Sequence, residues 1–235
     1  MNAYQLKRLI WCNKMLPRRH PLTNSTLPSQ IPIFPLPNAV LFPNVFMPLH
    51  IFEPRYCQMV RDVISNDRII GMVLLKAGWN RHADPNPPVY AVGCAGIITH
   101  IESLNDAHYN IVLRGFERFR VAQEDQTRVY RRAEVDILPE QVSADGKLHL
   151  DRDKQKLEQL LDQSQSRTGP EAKIPRDMST EDLVNTLAQY LEFEPLEKQA
   201  LLERIGPPER CKALVDLLEM RLLMNNKTTT PSGIQ

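Results

Sequence analysis

The sequence lacks the short motifs that mark the common nucleotide-binding and hydrolytic sites. A P-loop has the pattern GxxxxGK followed by Ser or Thr, and no two of the nine glycines have that spacing. There is also no GxGxxG dinucleotide motif, no GxSxG nucleophile elbow and no HExxH zinc helix. The sequence therefore predicts a non-enzymatic protein without a metal or cofactor, and an enzyme with an unrecognised site is one alternative.

Cysteine, net charge and long apolar runs are also scarce. The four cysteines lie far apart without a CxxC pair, which argues against a disulfide framework and favours a reducing compartment. The net charge of +1 favours neither nucleic acid nor membrane as a partner. No segment approaches the roughly 18 consecutive apolar residues of a membrane helix. We therefore expect a cytoplasmic protein.

The amino-terminal residues differ in charge from the rest of the chain. No acidic residue precedes Glu53, whereas several Lys and Arg lie within residues 1–30. This composition is typical of an organelle-targeting segment, but a dispensable arm or a true start at Met15 explains it as well. We expect residues 1–30 to form a flexible basic arm.

A proline-rich apolar stretch follows this arm. Seven prolines lie between Pro28 and Pro54 among Ile, Leu, Val and Phe. Because proline fixes φ and lacks an N–H, the stretch predicts short extended pieces with prolines at edges and turns. Glu53 followed by Pro54 indicates a helix start, with the carboxylate near the helix N-terminus.

The next part of the chain, to about residue 140, has the pattern of a β-rich unit. A helix is predicted for Pro54–Asn66, because its apolar residues recur at helical spacing. Turn residues separate the strand-like runs, and Gly93 and Gly96 predict a bulge or a bend. Six or more strands at short intervals favour a closed or nearly closed sheet. The predicted strands are Ile31–Leu36, Val45–Leu49, Ile69–Leu75, Tyr90–Ser103, Tyr109–Arg114, Phe116–Ala122 (set apart by Gly115) and Tyr130–Leu138.

Residues 141–225 have the pattern of a helical unit. Leucines recur at helical spacing in Leu148–Ser166, and Ser179 followed three residues later by Asp182 is an N-terminal capping pattern. Glu194-Pro195 and Gly206-Pro207 predict two further helix starts. We therefore divide the chain into the arm at 1–30, a β-rich subdomain at 31–140, a helical subdomain at 141–225 and a disordered tail at 226–235.

Two pairs of polar residues have the types that metal or acid–base sites use. His50 lies three residues before Glu53, and His82 lies two residues before Asp84. Lone pairs rarely make a site, so we expect Glu53 to cap its helix and His50 to bond to nearby backbone. We expect His82 and Asp84 to be solvated turn residues.

An arginine-rich part of the predicted sheet could face RNA. Arg118, Arg120 and Tyr130 belong to a run in which arginines alternate with aromatic residues, as on single-stranded nucleic-acid surfaces. Acidic residues are interspersed in the same run, which favours an ordinary mixed-charge exterior.

The proline-rich stretch also resembles the start of the amino-terminal, substrate-binding domain of Lon proteases. The resemblance extends from about Ile31 to Met224. It is carried by Phe34-Pro-Leu36, Val40-Leu-Phe-Pro43, Pro48–Tyr56 (PLHIFEPRY), Ile70–Val73, Val92–Gly96 and Leu113-Arg114-Gly115 with Arg118-Phe119. Its signature residues are Phe34, Pro35, His50, Phe52, Glu53, Pro54, Arg55, Tyr56, Gly71, Gly93 and Gly115.

The resemblance implies an α+β fold: a PUA-like β-barrel-type sheet of about six strands plus one helix, followed by a C-terminal helical bundle. It also implies that this chain is similar to a stand-alone form without the ATPase and Ser–Lys peptidase modules. The function that follows is non-catalytic binding of unfolded or damaged polypeptides, or of a protease or chaperone partner.

Two surfaces are predicted for these functions. The Trp79–Pro88 loop, with exposed apolar residues on the β half, would contact polypeptides through Trp79, Arg81, His82 and Tyr90. The alternative, a small ligand or RNA, would use Arg118, Arg120 and Tyr130. The signature residues are interpreted as architecture, because they set how the barrel is entered and how its helix is seated.

Overall fold

The structure is a computed structural model that describes residues 27–78, 86–104, 108–140, 144–165 and 178–228. Six strands and five helices lie in these ranges. They are β1 (Gln30–Leu36), β2 (Phe46–Ile51), α1 (Pro54–Ile64), β3 (Ile69–Leu74), β4 (Val92–Ser103), β5 (Tyr109–Asp125), β6 (Arg132–Ile137), α2 (Ala144–Gln165), α3 (Thr180–Tyr190), α4 (Pro195–Leu202) and α5 (Pro207–Thr228).

The strands form one mixed sheet that closes on itself. Its order is β2-β5-β4-β3-β1-β6, and β6 also pairs with β5, which completes a ring. β1 and β3 are parallel, and the other pairings are antiparallel. The 17-residue β5 makes the closure, because its first half pairs with β2 and its second half with β6. The prediction of a β-barrel-type sheet followed by helices is confirmed.

The prolines of the opening stretch lie where the sheet does not need their missing N–H. β1 pairs with β6 through Gln30–Pro32 and with β3 through Ile33–Leu36, so it changes partner between its two prolines. Pro48 lies in β2, which pairs with β5 alone. Proline is tolerated at such positions because no ladder hydrogen bond is lost.

Gly115 does not end a strand, contrary to the prediction, because β5 runs through it without interruption. Its backbone N–H donates to Val45 O (2.9 Å), and its carbonyl accepts from Asn44 N (2.8 Å). A Cβ at this position would lie 2.1 Å from the carbonyl oxygen of Phe42. The glycine therefore permits the loop before β2 to lie directly on β5.

Glu53 occupies the N-cap position of α1 but does not cap it with its side chain. Arg55 donates to the Glu53 carboxylate instead, at 3.0 Å from Nη2, and the guanidinium lies 4.6 Å from the ring centroid of Tyr56. The expected capping role of this carboxylate is therefore wrong. Pro54 does occupy the first turn, and Tyr56 is buried with its ring 4.3 Å from that of Phe34.

Three of the helices in the helical half, α3, α4 and α5, begin where the sequence predicts. Ser179 Oγ accepts from Asp182 N (3.1 Å), which confirms the cap of α3. Glu194 and Glu197 form a reciprocal capping box at α4, and α5 begins at Pro207. α2, α3 and α4 all pack against α5, so this long helix organises the half.

Two apolar cores support the chain. The smaller core fills the barrel with residues such as Ile31, Ile33 and Phe119, all fully buried. The larger core joins the outside of the barrel and α1 to the helices, and includes Phe42 and Leu214. The β-rich and helical halves therefore share one core across their contact.

Candidate functional site

A polar and aromatic surface lies where β2, the first half of β5 and the second half of β4 run side by side. We call it the outer face, defined by the exposed or half-exposed side chains of Pro48, His50, Glu102, Asn110 and Val112. Alternation along β2 produces it, because Met47 and Ile51 point into the core.

Three of these side chains form a chain of hydrogen bonds across the strands. His50 pairs with Asn110 in the register of β2 and β5, and Asn110 pairs with Glu102 in that of β5 and β4. His50 Nδ1 lies 2.9 Å from Asn110 Oδ1, and Asn110 Nδ2 donates to Glu102 Oε2 at 2.9 Å. His50 therefore bonds to a side chain from a neighbouring strand. The predicted bond to nearby backbone is wrong.

Two aromatic rings adjoin His50 at one end of the outer face. The ring of Phe52 stacks on that of His50 with centroids 5.9 Å apart, and His108 meets it edge-on at the same distance. Phe52 is 57% exposed, which is high for a phenylalanine. We call His50, Phe52 and His108 the aromatic cluster. The aromatic cluster therefore places exposed aromatic surface next to hydrogen-bonding groups.

The free edge of β2, beside the outer face, has few backbone groups available for hydrogen bonds to an added strand. The carbonyl oxygen of Phe46 accepts from the Tyr190 hydroxyl at 2.6 Å, and Pro48 has no N–H. Both devices block pairing with an added strand. A ligand on this side of the molecule would therefore meet side chains.

The arginine predicted for an RNA-facing surface lies inside the molecule. Arg118 is 3% exposed and donates to the carbonyls of Leu202 (2.9 Å), Arg204 (2.6 Å) and Ile205 (2.7 Å) at the end of α4. Its Nε lies 2.9 Å from Glu140 Oε1. Burial, and then the nearby Arg210, lower the pKa of Arg118.

Arg210 completes a buried polar network with the same carboxylate. It is fully buried, pairs with Glu140, and donates to the Asn185 side chain and to Leu201 O. Gln199 adds a hydrogen bond from its amide to Val92 O in the barrel (3.0 Å). We call Arg118, Glu140, Asn185, Gln199 and Arg210 the junction, because they bind the barrel to the helices.

The other predicted contact residues that the structure describes lie in different environments. The Tyr130 hydroxyl is directed inward and donates to Asp62 Oδ2 at 2.7 Å, whereas Arg120 is exposed. Tyr90 is half-buried, with Lys76 Nζ 5.9 Å from its ring centroid. Trp79, Arg81, His82 and Asp84 lie outside the described residues.

The buried thiols do not have the environment of nucleophiles. Cys57, Cys94 and Cys211 are free and buried. Burial raises the pKa of Cys211 to about 12 and raises that of Cys94 further above its ordinary value. Within the described ranges, no group of three or more His, Cys, Asp or Glu side chains is placed to hold a metal ion. None of the described helices is long and apolar enough to cross a membrane.

Comparison with protein families matches residues 30–220 to the substrate-binding domain of the ATP-dependent protease La (LON). This match covers most of the chain. The chain belongs to the LON substrate-binding domain family. The outer face and the junction both lie within the matched region of this LON domain.

Curated Lon proteases are similar to the chain over a limited part of their own length. Lon protease 2 of Myxococcus xanthus is 24% identical over 88% of this chain and 26% of that protein. Lon protease of Dictyoglomus thermophilum is 27% identical over 83% of this chain and 25% of that protein. The chain thus spans about a quarter of the relatives that it matches.

Solved structures support the LON fold. The Lon N-terminal domain protein from Xanthomonas campestris superposes with a TM-score of 0.55 at 24% identity, over 80% of this chain and 97% of that one. The N-terminal domain of Mycobacterium avium complex Lon protease gives a TM-score of 0.57 at 15% identity, over 81% and 98% of the two chains. At these identities the likeness concerns the fold.

Proposed function

We propose that this chain is a non-catalytic module that binds unfolded or damaged polypeptides and acts in protein quality control or proteolysis. The observation that carries the proposal is the match of residues 30–220 to a substrate-binding domain. The buried thiols of Cys94 and Cys211, whose pKa values are raised by burial, and the absence of a P-loop motif from the sequence support a role in binding and not in catalysis.

The outer face is the surface that we assign to this binding. Exposed aromatic residues beside hydrogen-bonding groups are the usual anchors of protein interfaces. Phe52 supplies an exposed aromatic ring to the aromatic cluster, and His50, on which that ring stacks, is held in β2. Since Pro48 and the Tyr190 hydroxyl close the edge of β2, recognition would proceed through side chains and not through strand addition.

A titration with an unfolded protein tests this function. The fluorescence anisotropy of a labelled, reduced and carboxymethylated protein is measured against the purified chain. We expect saturable binding that weakens about tenfold in Phe52→Ala, because truncating an interface anchor costs about 1–2 kcal/mol. The matched control is Val129→Ala, which truncates an exposed apolar residue in the β5–β6 turn, away from the outer face.

Absence of binding to any unfolded polypeptide would contradict the proposal. The same titration includes single-stranded RNA at low and high salt, which tests the alternative ligand. Retention of RNA that disappears at high salt, without binding of unfolded protein, would favour nucleic-acid recognition instead.

A further inference from the structure

The bonds around His50 determine which of its ring nitrogens carries a proton. The Glu102 carboxylate accepts hydrogen bonds, so the Asn110 amide must direct its NH2 group toward it. Asn110 Oδ1 then faces His50, and His50 Nδ1 must be the donor. In neutral His50, Nε2 is therefore left as an acceptor on the outer face.

The His50 acceptor lies next to the ring of Phe52, and its hydrogen-bond chain ends on a negatively charged carboxylate. The ring of Phe52 is stacked at 24° to the imidazole, and the Glu102 carboxylate is one residue further along the hydrogen-bond chain. The nearest arginines in the chain are engaged elsewhere: Arg55 pairs with Glu53, and Arg114 donates to Asn44. The site therefore combines a fixed acceptor, an exposed π-face and a carboxylate that makes no ion pair with any of the described residues.

From this geometry we infer that the aromatic cluster binds an arginine side chain of an extended, unfolded polypeptide. The guanidinium donates to His50 Nε2 and lies on the exposed face of Phe52, while its charge complements that of Glu102. Within this chain, Arg152 Nη2 already lies 3.0 Å from His149 Nδ1, which is the same kind of contact. The inference rests on the proposed function and specifies which side chain that surface selects.

Asn110 and Glu102 act as positioning residues in this arrangement. They do not donate to or accept from the guanidinium of the ligand. They hold the imidazole of His50 in the tautomer whose Nε2 accepts a hydrogen bond. Without Asn110, the ring is free to adopt the other tautomer, whose Nε2–H would repel a cationic donor.

Two short unstructured peptides test the inference by anisotropy. They are identical except that one carries arginine and the other methionine in an apolar sequence. We expect the arginine peptide to bind about tenfold more tightly, the size of one lost charge-assisted hydrogen bond. A purely apolar surface would instead favour the methionine peptide or treat both alike.

Three variants separate the roles of the residues. His50→Ala should abolish the preference for arginine, and Asn110→Ala should reduce it to about threefold, because positioning is lost while the acceptor remains. His149→Ala is the control, since this exposed histidine lies in α2, away from the outer face. It should leave the preference unchanged, and thermal unfolding confirms that all three variants are folded.

Nitrogen-15 NMR of the imidazoles gives a readout that a structural role would not change. We expect the Nδ1–H tautomer for His50 and its loss in Asn110→Ala. Equal binding of both peptides, or an arginine preference that survives His50→Ala, would overturn the inference while the proposed function stands. If neither peptide binds and the unfolded protein does not bind, both the inference and the proposed function are overturned.

Discussion

The inside of the barrel and the junction are both buried, but different interactions hold them together. The barrel is filled by apolar side chains such as Ile31, Ile33 and Phe119. The junction buries two arginines around a single carboxylate, and the other donors of these arginines bond to carbonyls at the end of α4 and to Asn185. The stabilisation from apolar packing is proportional to the buried area, so a small loss of area costs little. The stability of a buried charge, in contrast, depends on each of its partners.

The comparison shows how the outer face is kept rigid. The barrel sets the register of β2, β4 and β5, and the junction fixes β5 against the helices through Arg118. A small apolar change in the barrel should be absorbed, but loss of one junction partner should loosen the whole contact between the halves. Four substitutions test this contrast.

The largest effect is expected at Glu140. Glu140→Gln removes the carboxylate that Arg118 and Arg210 share, leaving two buried guanidinium groups without their ion-pair partner. We expect the free energy of unfolding to fall by about 3 kcal/mol, measured by urea denaturation. The control Glu219→Gln breaks an exposed ion pair with Lys156 and should leave the urea midpoint unchanged. Equal midpoints for both variants would contradict the importance of the junction.

Gly115→Ala should have the next largest effect. The new Cβ would meet the Phe42 carbonyl oxygen at 2.1 Å, and neither backbone can yield without breaking the pairing of Asn44 and Val45 with β5. We expect a loss of about 2–3 kcal/mol. Gly78→Ala is the comparison, because φ there is +86° and no atom of the described residues lies within 4 Å of the new Cβ. It should cost about 1 kcal/mol from the backbone alone. A smaller loss for Gly115→Ala than for Gly78→Ala would show that the close approach of the Phe42 carbonyl to Gly115 is unimportant for stability.

A conservative change inside the barrel should be mild. Ile33→Val deletes one fully buried methylene group from the apolar filling. The expected loss is about 1 kcal/mol by thermal or urea unfolding, since packing can partly relax. A loss as large as that of Glu140→Gln would mean that the two regions do not differ as described.

The smallest effect concerns a pH-dependent contact between α1 and the β5–β6 turn. The hydrogen bond from Tyr130, helped by Gln58 and Arg128, lowers the pKa of Asp62 despite its partial burial. Because the folded pKa lies below the unfolded one, the stabilisation is present above about pH 4 and is lost as pH falls through the folded pKa.

Tyr130→Phe removes the principal cause of that shift. We expect a loss of about 0.5 kcal/mol at neutral pH that disappears in acid, measured as urea midpoints across pH. Tyr90→Phe serves as the matched control, with no pH-dependent difference expected. A loss for Tyr130→Phe that persists unchanged below pH 4 would assign the effect to packing and not to Asp62.

Much of the fold follows from local rules that a sequence displays. Pro54, Ser179 and Pro207 mark helix starts because their effects act within one turn, and the structure confirms them. The register shift at Ala95 and Gly96 also agrees with the bulge expected from glycine. Gly115 was misinterpreted as a break, because the reason for a glycine there is the approach of Phe42, 73 positions earlier in the chain.

The candidate site was harder to predict, because its parts are distant in sequence. Alternation placed Arg118 on an exterior, but the helical half covers β5 at this position, and the Arg118 guanidinium reaches carbonyls 84 to 87 residues away. His50 and Asn110 are 60 residues apart and meet only through the register of β2 and β5. The polar alternation at Glu102 and Asn110 was the available signal, but it does not identify partners.

Amide chemical-shift mapping tests the central claim most directly. An isotope-labelled sample of the chain is titrated with the unfolded, carboxymethylated protein. We expect the shifted amides to cluster around His50, Phe52 and Asn110, with little change at the junction. Shifts confined to the exposed apolar end of α5, around Met220 and Leu223, or no shifts at all, would contradict the assignment of polypeptide binding to the outer face.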